Sequence, residues 1–281
     1  MMMNNLQKYM INNQVVWRGR LEKINGVRQE QAPSFIIRPL NRNDAEEMGN
    51  LSATIYSNLG KGEECFIHRH DKEYYHQIFD NENIHYIGVF AGSKLIGMSY
   101  IHLCHDRESF NDEIPNSPVD FFEGGKTSLV AAMGADCVHP AYRGNQLNQT
   151  MIQCRLELAL SLGCSDAFSI IDRNNRWNMP PYFNNGFNMY ASTIDPSDNG
   201  KIALMHNDLH NTRQSDGRGI SVPYNRLDLI DSLMAKGYIG NGYDAKSGNI
   251  KFVLNNQNEN NNERNQFVVI ARMMKGTCLV K

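Results

Sequence analysis

The chain has 281 residues, of which 41% are hydrophobic, enough to bury a sizeable core. Its 28 Lys and Arg stand against 30 Asp and Glu, for a formal net charge of −2. That balance argues against a general nucleic-acid binder, which needs clustered excess positive charge.

Residues 1–33 are polar and weakly patterned, and are read as an N-terminal arm in which "VVWRGRLEKI" has the makings of a strand or hairpin. Organised structure begins at "SFIIRPL" (Ser34 to Leu40), a short β-branched run. The next stretch, "NRNDAEEMGNLSATIYSNL", predicts a helix: Asn43 is placed to cap it with Glu46 three residues on, and Ala45, Met48, Leu51 and Ile55 recur at helical spacing. A second helix is predicted at "DKEYYHQIF", from Asp71 to Phe79. "IHYIGVFAGSKLIGMSYIHLC" then reads as two strands joined at Ala91-Gly92-Ser93, a hairpin signal.

A polar loop over 105–126 leads to a long strand, "SLVAAMGADCV". After it, Leu147, Met151, Cys154, Leu158 and Leu162 form one apolar helical stripe that stops at Gly163. "DAFSII" (Asp166 to Ile171) is nearly all apolar, as a buried strand should be. A short helical turn is predicted around Tyr182, followed by the strands "GFNMYAS" and "KIALMHNDL". The order is that of an α/β (α+β) domain over 34–211. A C-terminal α+β extension, 212–281, holds a helix ("YNRLDLIDSLMAKGYI"), two strands ("NIKFVL" and "NQFVVIARM") and an Asn-rich turn expected to be solvated and mobile.

The chemistry concentrates in "VHPAYRGNQLNQTM", from Val138 to Met151. A strand end, a Pro-marked turn and a helix start bring unpaired N–H groups and a positive dipole end together, an arrangement that favours phosphate. Arg143 adds charge-assisted hydrogen bonding and Gly144 a permissive backbone position. Gln146 and Asn148 stand where a phosphate cradle usually has small residues. A plain strand-to-helix connection with an exposed arginine is the other reading of this loop.

The segment resembles the acetyl-CoA motif of the GCN5-related N-acetyltransferases (GNAT), Arg/Gln-x-x-Gly-x-Gly/Ala after a strand ending Val-x-Pro. "VHPAYRGNQLN" matches at Val138, Pro140, Arg143 and the Arg-Gly pair, and departs at Gln146 and Asn148. A second signature of the family, Asn, then Tyr seven residues on, then Gly-Phe, is matched by Asn175, Tyr182 and Gly186-Phe187, and "IALMHNDL" is similar to its final strand. Together these cover about 34–209.

The resemblance implies a mixed, mostly antiparallel central sheet with helices on both faces, opened between two central strands to admit CoA. It implies that the strand end at Cys137 and Val138 pairs with the pantetheine arm, and that the amides of Arg143, Gly144, Asn145, Gln146, Leu147 and Asn148 wrap the pyrophosphate. Asn175 would bond near the pantetheine, and Tyr182 would protonate the leaving thiolate. The base that neutralises the amine is left between Asp136, the first candidate, and Asp172. The activity implied is acetyl transfer from acetyl-CoA, as cosubstrate, to an amine acceptor by direct attack. The alternative is a non-catalytic CoA-sensing or interaction module whose loop has decayed.

Other features are set aside. His68, His70, His76, His102, Cys104 and His105 lack the paired spacing of a structural zinc site, so no metal is expected. "EGGKTS" imitates the tail of a P-loop, but no glycine stands where the first glycine of that motif belongs. Cys137 is read as a small buried residue before it is read as a nucleophile. The six cysteines (Cys65, Cys104, Cys137, Cys154, Cys164, Cys278) form no Cys-x-x-Cys pair, and there is no apolar run of membrane-spanning length and no signal-peptide pattern; a reduced, cytoplasmic protein is expected. The extension is expected to cover the acceptor side, to bind a partner or to mediate self-association, as in a homodimer.

Overall fold

The computed structural model describes residues 15–63, 66–114, 129–195, 199–210 and 219–255. The arm enters as β1 (Trp17–Arg20) and a small separate hairpin, β2 (Lys23–Ile24) and β3 (Val27–Arg28). β4 (Ser34–Pro39) leads to α1 (Ala45–Tyr56) and α2 (Lys72–Ile78), then to the hairpin β5 (Ile84–Ala91) and β6 (Lys94–Cys104). Its turn is two residues long, since Ala91 pairs with Lys94, and Gly92 supplies the positive φ (61°) that such turns demand. α3 (Arg107–Glu113) follows, and β7 (Val130–Val138), α4 (Leu147–Ser161), β8 (Asp166–Asp172), α5 (Met179–Asn184), β9 (Asn188–Ile194) and β10 (Lys201–Asp208) complete the expected series.

Among the described residues eleven strands make one sheet. From β1 it runs β4-β5-β6-β7-β8-β10-β9 and on into the extension. Every pairing in it is antiparallel except that of β7 with β8. Alternation along the strands sends residues to two opposite layers. On one face Met48, Leu51 and Ile55 of α1 pack on Tyr86, Phe90, Leu95 and Met98. On the other, Leu147, Met151 and Cys154 of α4 pack on Ile37, Ile87, Val89 and Ile96. The apolar stripes expected of both helices are therefore the faces they bury, and the mixed, mostly antiparallel sheet with helices on both faces is present.

Three local expectations are corrected. The capping box sits two residues earlier than Asn43: Asn41 caps a 3-10 turn and Asp44 returns the bond, because Arg38 holds the Asp44 carboxylate at that end of β4. The 105–126 loop contains α3, started by Asp106, whose side chain accepts from the Ser109 N–H while Ser109 reciprocates. In the extension the helix α6 (Leu227–Met234) is followed by a turn at Gly237 (φ 84°), and Tyr238–Asp244 is a strand, β12, rather than the helix end. β12 pairs with β13 (Asn249–Leu254), which carries β11 (Ile220–Pro223) at the sheet edge. The strand expected at "NQFVVIARM", the Asn-rich turn and the "EGGKTS" segment lie outside the described residues. The sheet continues into the extension through one ladder pair, Gly240 with Met189, and Val222, Ile230, Ile250 and Phe252 share a core with Met189. A second tie is fully buried Arg173, which donates to Asp231 of α6 at 2.6 Å and to Ser192 at 2.7 Å.

Candidate functional site

β7 and β8 run side by side for three residue pairs, Val130–Asp166, Ala131–Ala167 and Ala132–Phe168, and then part. The cause lies in β7. Tyr100 of β6 faces Gly134 and Met98 faces Cys137, so Ala135 and Asp136 together oppose Ser99. This bulge bends the strand, and Ala135 takes a positive φ of 50°, a conformation costing about 1–2 kcal/mol for a residue with a Cβ.

Arg155 of α4, fully buried, holds the distortion. Its Nη1 donates to the carbonyls of Tyr100 (2.9 Å) and Gly134 (3.3 Å), and its Nη2 is ion-paired with Asp136. A buried guanidinium left without such partners would cost several kcal/mol, so the arginine and the bulge require each other. Tyr182, on α5, closes the network from above. Its hydroxyl donates to Asp136 Oδ2 at 2.5 Å and accepts from Ser169 of β8 at 2.8 Å, so one phenol links the two strands where they separate. Burial first, and then the Asp136 charge, raise its pKa. Asp136, the first candidate for the base, is thus in contact with the candidate acid and with a permanent cation. Asp172 lies at the far end of β8, where it accepts the Asn174 N–H at 2.7 Å.

At the open end of β7 a 3-10 turn (Pro140–Tyr142) leads into α4. Gly144 has φ 84° and Gln146, at the N-cap, φ 57° and ψ 21°. Gln146 therefore adopts the backbone that a glycine would take, while its exposed side chain makes no capping bond. The N–H groups of Leu147, Asn148 and Gln149 take no acceptor among the described residues, which leaves the helix start free for an anion. The Leu147 side chain is core, and Asn148 turns away to Asn178 (2.5 Å) in the β8–α5 loop that also holds half-buried Asn175.

Exposed Arg143 donates through Nε to the Val138 carbonyl at 3.3 Å. Lys94 lies 3.3 Å from His139, whose pKa is lowered by partial burial and then by the Lys94 and Arg143 charges. Asn145 is engaged with the arm: it donates to the Lys23 carbonyl (2.7 Å) and accepts the Lys23 N–H (2.9 Å). Cys137 is buried with its thiol pushed up by burial and by Asp136, so it stays protonated and is no nucleophile.

Sequence reasoning missed what lies on the other face of the bulge. A Cβ on Gly134 would sit 2.7 Å from the Tyr100 hydroxyl oxygen; only glycine lets that ring lie over β7 at the point of divergence. The Tyr100 hydroxyl donates to Glu113 Oε2 at 2.6 Å, and His102 Nδ1 meets Glu113 Oε1 at 2.8 Å. Glu113 comes from α3, whose one sequence signal was the Asp106-x-x-Ser109 capping pattern.

No family model and no curated protein matches the sequence. Among solved structures the chain is similar to Arabidopsis thaliana NAA60 in complex with acetyl-CoA, with TM-score 0.47 and 13% identity over 63% of this chain and 99% of that one. It is also similar to an N-acetyltransferase from Staphylococcus aureus, with TM-score 0.46 and 15% identity over 63% and 99%. The GNAT domain of PAT from S. lividans gives TM-score 0.47 and 12% identity over 68% and 97%. These likenesses are distant.

Proposed function

We propose that the chain is an N-acetyltransferase that moves an acetyl group from acetyl-CoA to a primary amine. The observation that carries this reading is the juxtaposition of two features. Parallel strands β7 and β8 part after three pairs, and an uncapped helix start, with Gln146 in a glycine-like backbone, stands at the open end.

The residues present suit the cosubstrate. The free amides of Leu147, Asn148 and Gln149, with the side chains of Arg143 and Lys94 nearby, offer N–H donors and positive charge to a pyrophosphate. The edge of β7 beyond Ala132 has no β8 partner among the described residues and is available to an extended arm, and Asn175 lies in the loop that follows β8. Bound there, acetyl-CoA supplies an acyl carbon activated as a thioester.

Tyr182 is proposed as the proton donor to the leaving sulfur. A hydroxyl hydrogen rotates about its C–O bond, so the oxygen that now donates to Asp136 can donate elsewhere. Arg155, in the same network, favours the phenolate that results. Asp136 then serves to orient the phenol, because its charge is already matched by Arg155.

A second reading, a CoA-responsive or interaction module without catalysis, is favoured by one observation. Tyr182 is fully buried, and its single proton is engaged internally.

The two are separated in two steps. Acetyl-CoA and CoA should each raise the melting temperature in a saturable way; no shift at millimolar ligand sinks the cosubstrate reading. With binding established, release of free CoA in the presence of a panel of primary amines supports the enzyme, and its absence across the panel supports the module.

A further inference from the structure

On the acetyl-transfer reading the incoming amine arrives as an ammonium and has to lose a proton before it attacks. Asp136 is poorly suited to take it: it is ion-paired with Arg155 and accepts from Tyr182, both fully buried. The opposite face of the same bulge carries a polar group that the reading has not used. Tyr100 is partly exposed, its ring fills the space that the missing Gly134 Cβ leaves, and its hydroxyl is bonded to Glu113. The Glu113 side chain is 20% exposed, and His102, almost fully buried, holds its second oxygen.

We propose that Tyr100, Glu113 and His102 form the proton-accepting relay for the amine, with Tyr100 touching the nitrogen and Glu113 storing the proton. In the step, one N–H bond of the ammonium breaks and its proton goes to Tyr100 Oη. The Tyr100 O–H bond breaks in concert and its proton passes over 2.6 Å to Glu113 Oε2. The nitrogen keeps the electron pair with which it attacks, and the phenol is neutral before and after.

A phenolate at Tyr100 is disfavoured by burial and by the adjacent Glu113 charge, so concerted passage avoids the costly intermediate. His102 orients Glu113 so that Oε2 points at the phenol. The relay selects substrate class as well: a carboxylate beside the rings of Tyr100, Tyr86 and Tyr74 favours a primary ammonium over an alcohol or a thiol, through charge and ring-face attraction. The other titratable groups that feel Glu113 are Tyr74, Tyr86 and Cys104, all with raised pKa, so among the described residues none of these three adds a competing charge near neutrality.

Two measurements test the relay. In the first, transfer from acetyl-CoA is followed with methylamine, which is cationic at neutral pH, and with hydroxylamine, which is already neutral there. Glu113→Gln and Tyr100→Phe are each expected to slow transfer to methylamine about 10²-fold, the lower end of general-base effects, and to slow transfer to hydroxylamine far less. The methylamine deficit should shrink as pH rises and the free amine is supplied by solution. In the second, the His102 ring resonances in 15N-labelled protein are expected to move when methylammonium is added, and not to move in Glu113→Gln.

Equal losses with both nucleophiles, unchanged rates in both variants, or a His102 signal indifferent to methylammonium each overturn the relay. Transfer to neither nucleophile also overturns it. The melting-temperature rise with acetyl-CoA reports separately on the cosubstrate reading, which stands if that rise persists. Both variants should keep the rise, which excludes simple misfolding.

Discussion

Tyr182 and Asp136 meet across 2.5 Å, the phenol donating to a carboxylate that Arg155 already holds as an ion pair. The two side chains come from α5 and β7, and the guanidinium from α4. Three elements thus converge on one buried charge pair, one residue past the strained Ala135 at which β7 bulges.

Breaking the pair from one side should be expensive. Asp136→Asn or Arg155→Met is expected to lower unfolding free energy by about 3–5 kcal/mol, since each leaves an uncompensated buried group. The double variant should recover much of that loss. Urea unfolding of the three proteins checks it; additive losses would show that the pair is not the coupled unit described here.

Tyr182→Phe removes the phenol that bridges Asp136 and Ser169. It is expected to cost about 1–3 kcal/mol of stability through the unpaired Ser169 and Asp136 groups, and to slow acetyl transfer while the acetyl-CoA-induced melting shift is kept. Turnover at the wild-type rate would remove Tyr182 from the mechanism.

The left-handed backbone at Gln146 should be visible in a substitution series. Gln146→Gly relieves about 1–2 kcal/mol of strain and gives back about 0.4–1 kcal/mol through the greater freedom of the unfolded chain, for a small net gain. Gln146→Val, β-branched at positive φ, should instead cost more than about 1 kcal/mol. Chemical unfolding midpoints decide it. The acetyl-CoA shift should survive in the glycine variant, since the proposal uses the backbone there and not the amide side chain.

Acidification should destabilise the fold in a defined window. His70, His85 and His139 have pKa values lowered from 6.5, chiefly by burial, with the neighbouring charges of His68, His102 and Lys94 next in each case. Between those folded values and 6.5 the unfolded chain binds more protons, so stability is complete above about 6.5 and falls as pH drops below it. Urea midpoints at pH 7.5 and pH 5.5 measure the fall, and His85→Asn should reduce it. A midpoint that rises on acidification would contradict the assignment.

Much of this architecture was legible in the sequence because the cues were local. Ala45, Met48, Leu51 and Ile55 are buried as their helical spacing required, and Gly92 turns the hairpin as its type demands. Asn175, Tyr182 and the Arg143–Asn148 loop were picked out by motif; Asn148 meets Asn178 of the loop that holds Asn175, and Tyr182 bridges Asp136 of β7 and Ser169 of β8. The bulge at Ala135 and Asp136 was not legible, because a bulge is a relation between two strands and neither alone reveals the register. Nor was the partnership of Tyr100 with Glu113, which depends on the short helix α3 folding back beside the sheet. Arg155 was hidden for another reason: a cation inside an apolar stripe reads as a surface residue until its buried acceptors are seen.

The bonds between Asn145 and Lys23 carry a practical consequence. A recombinant fragment beginning at Ser34 would keep every residue of the Arg143–Asn148 loop and lose the hairpin strapped across it, along with the Asn25 N–H that reaches the Ala141 carbonyl at 2.6 Å. The loop in such a fragment should be nicked sooner by proteases and exchange its amide hydrogens faster, so its ligand-binding behaviour would be a poor guide to that of the intact chain.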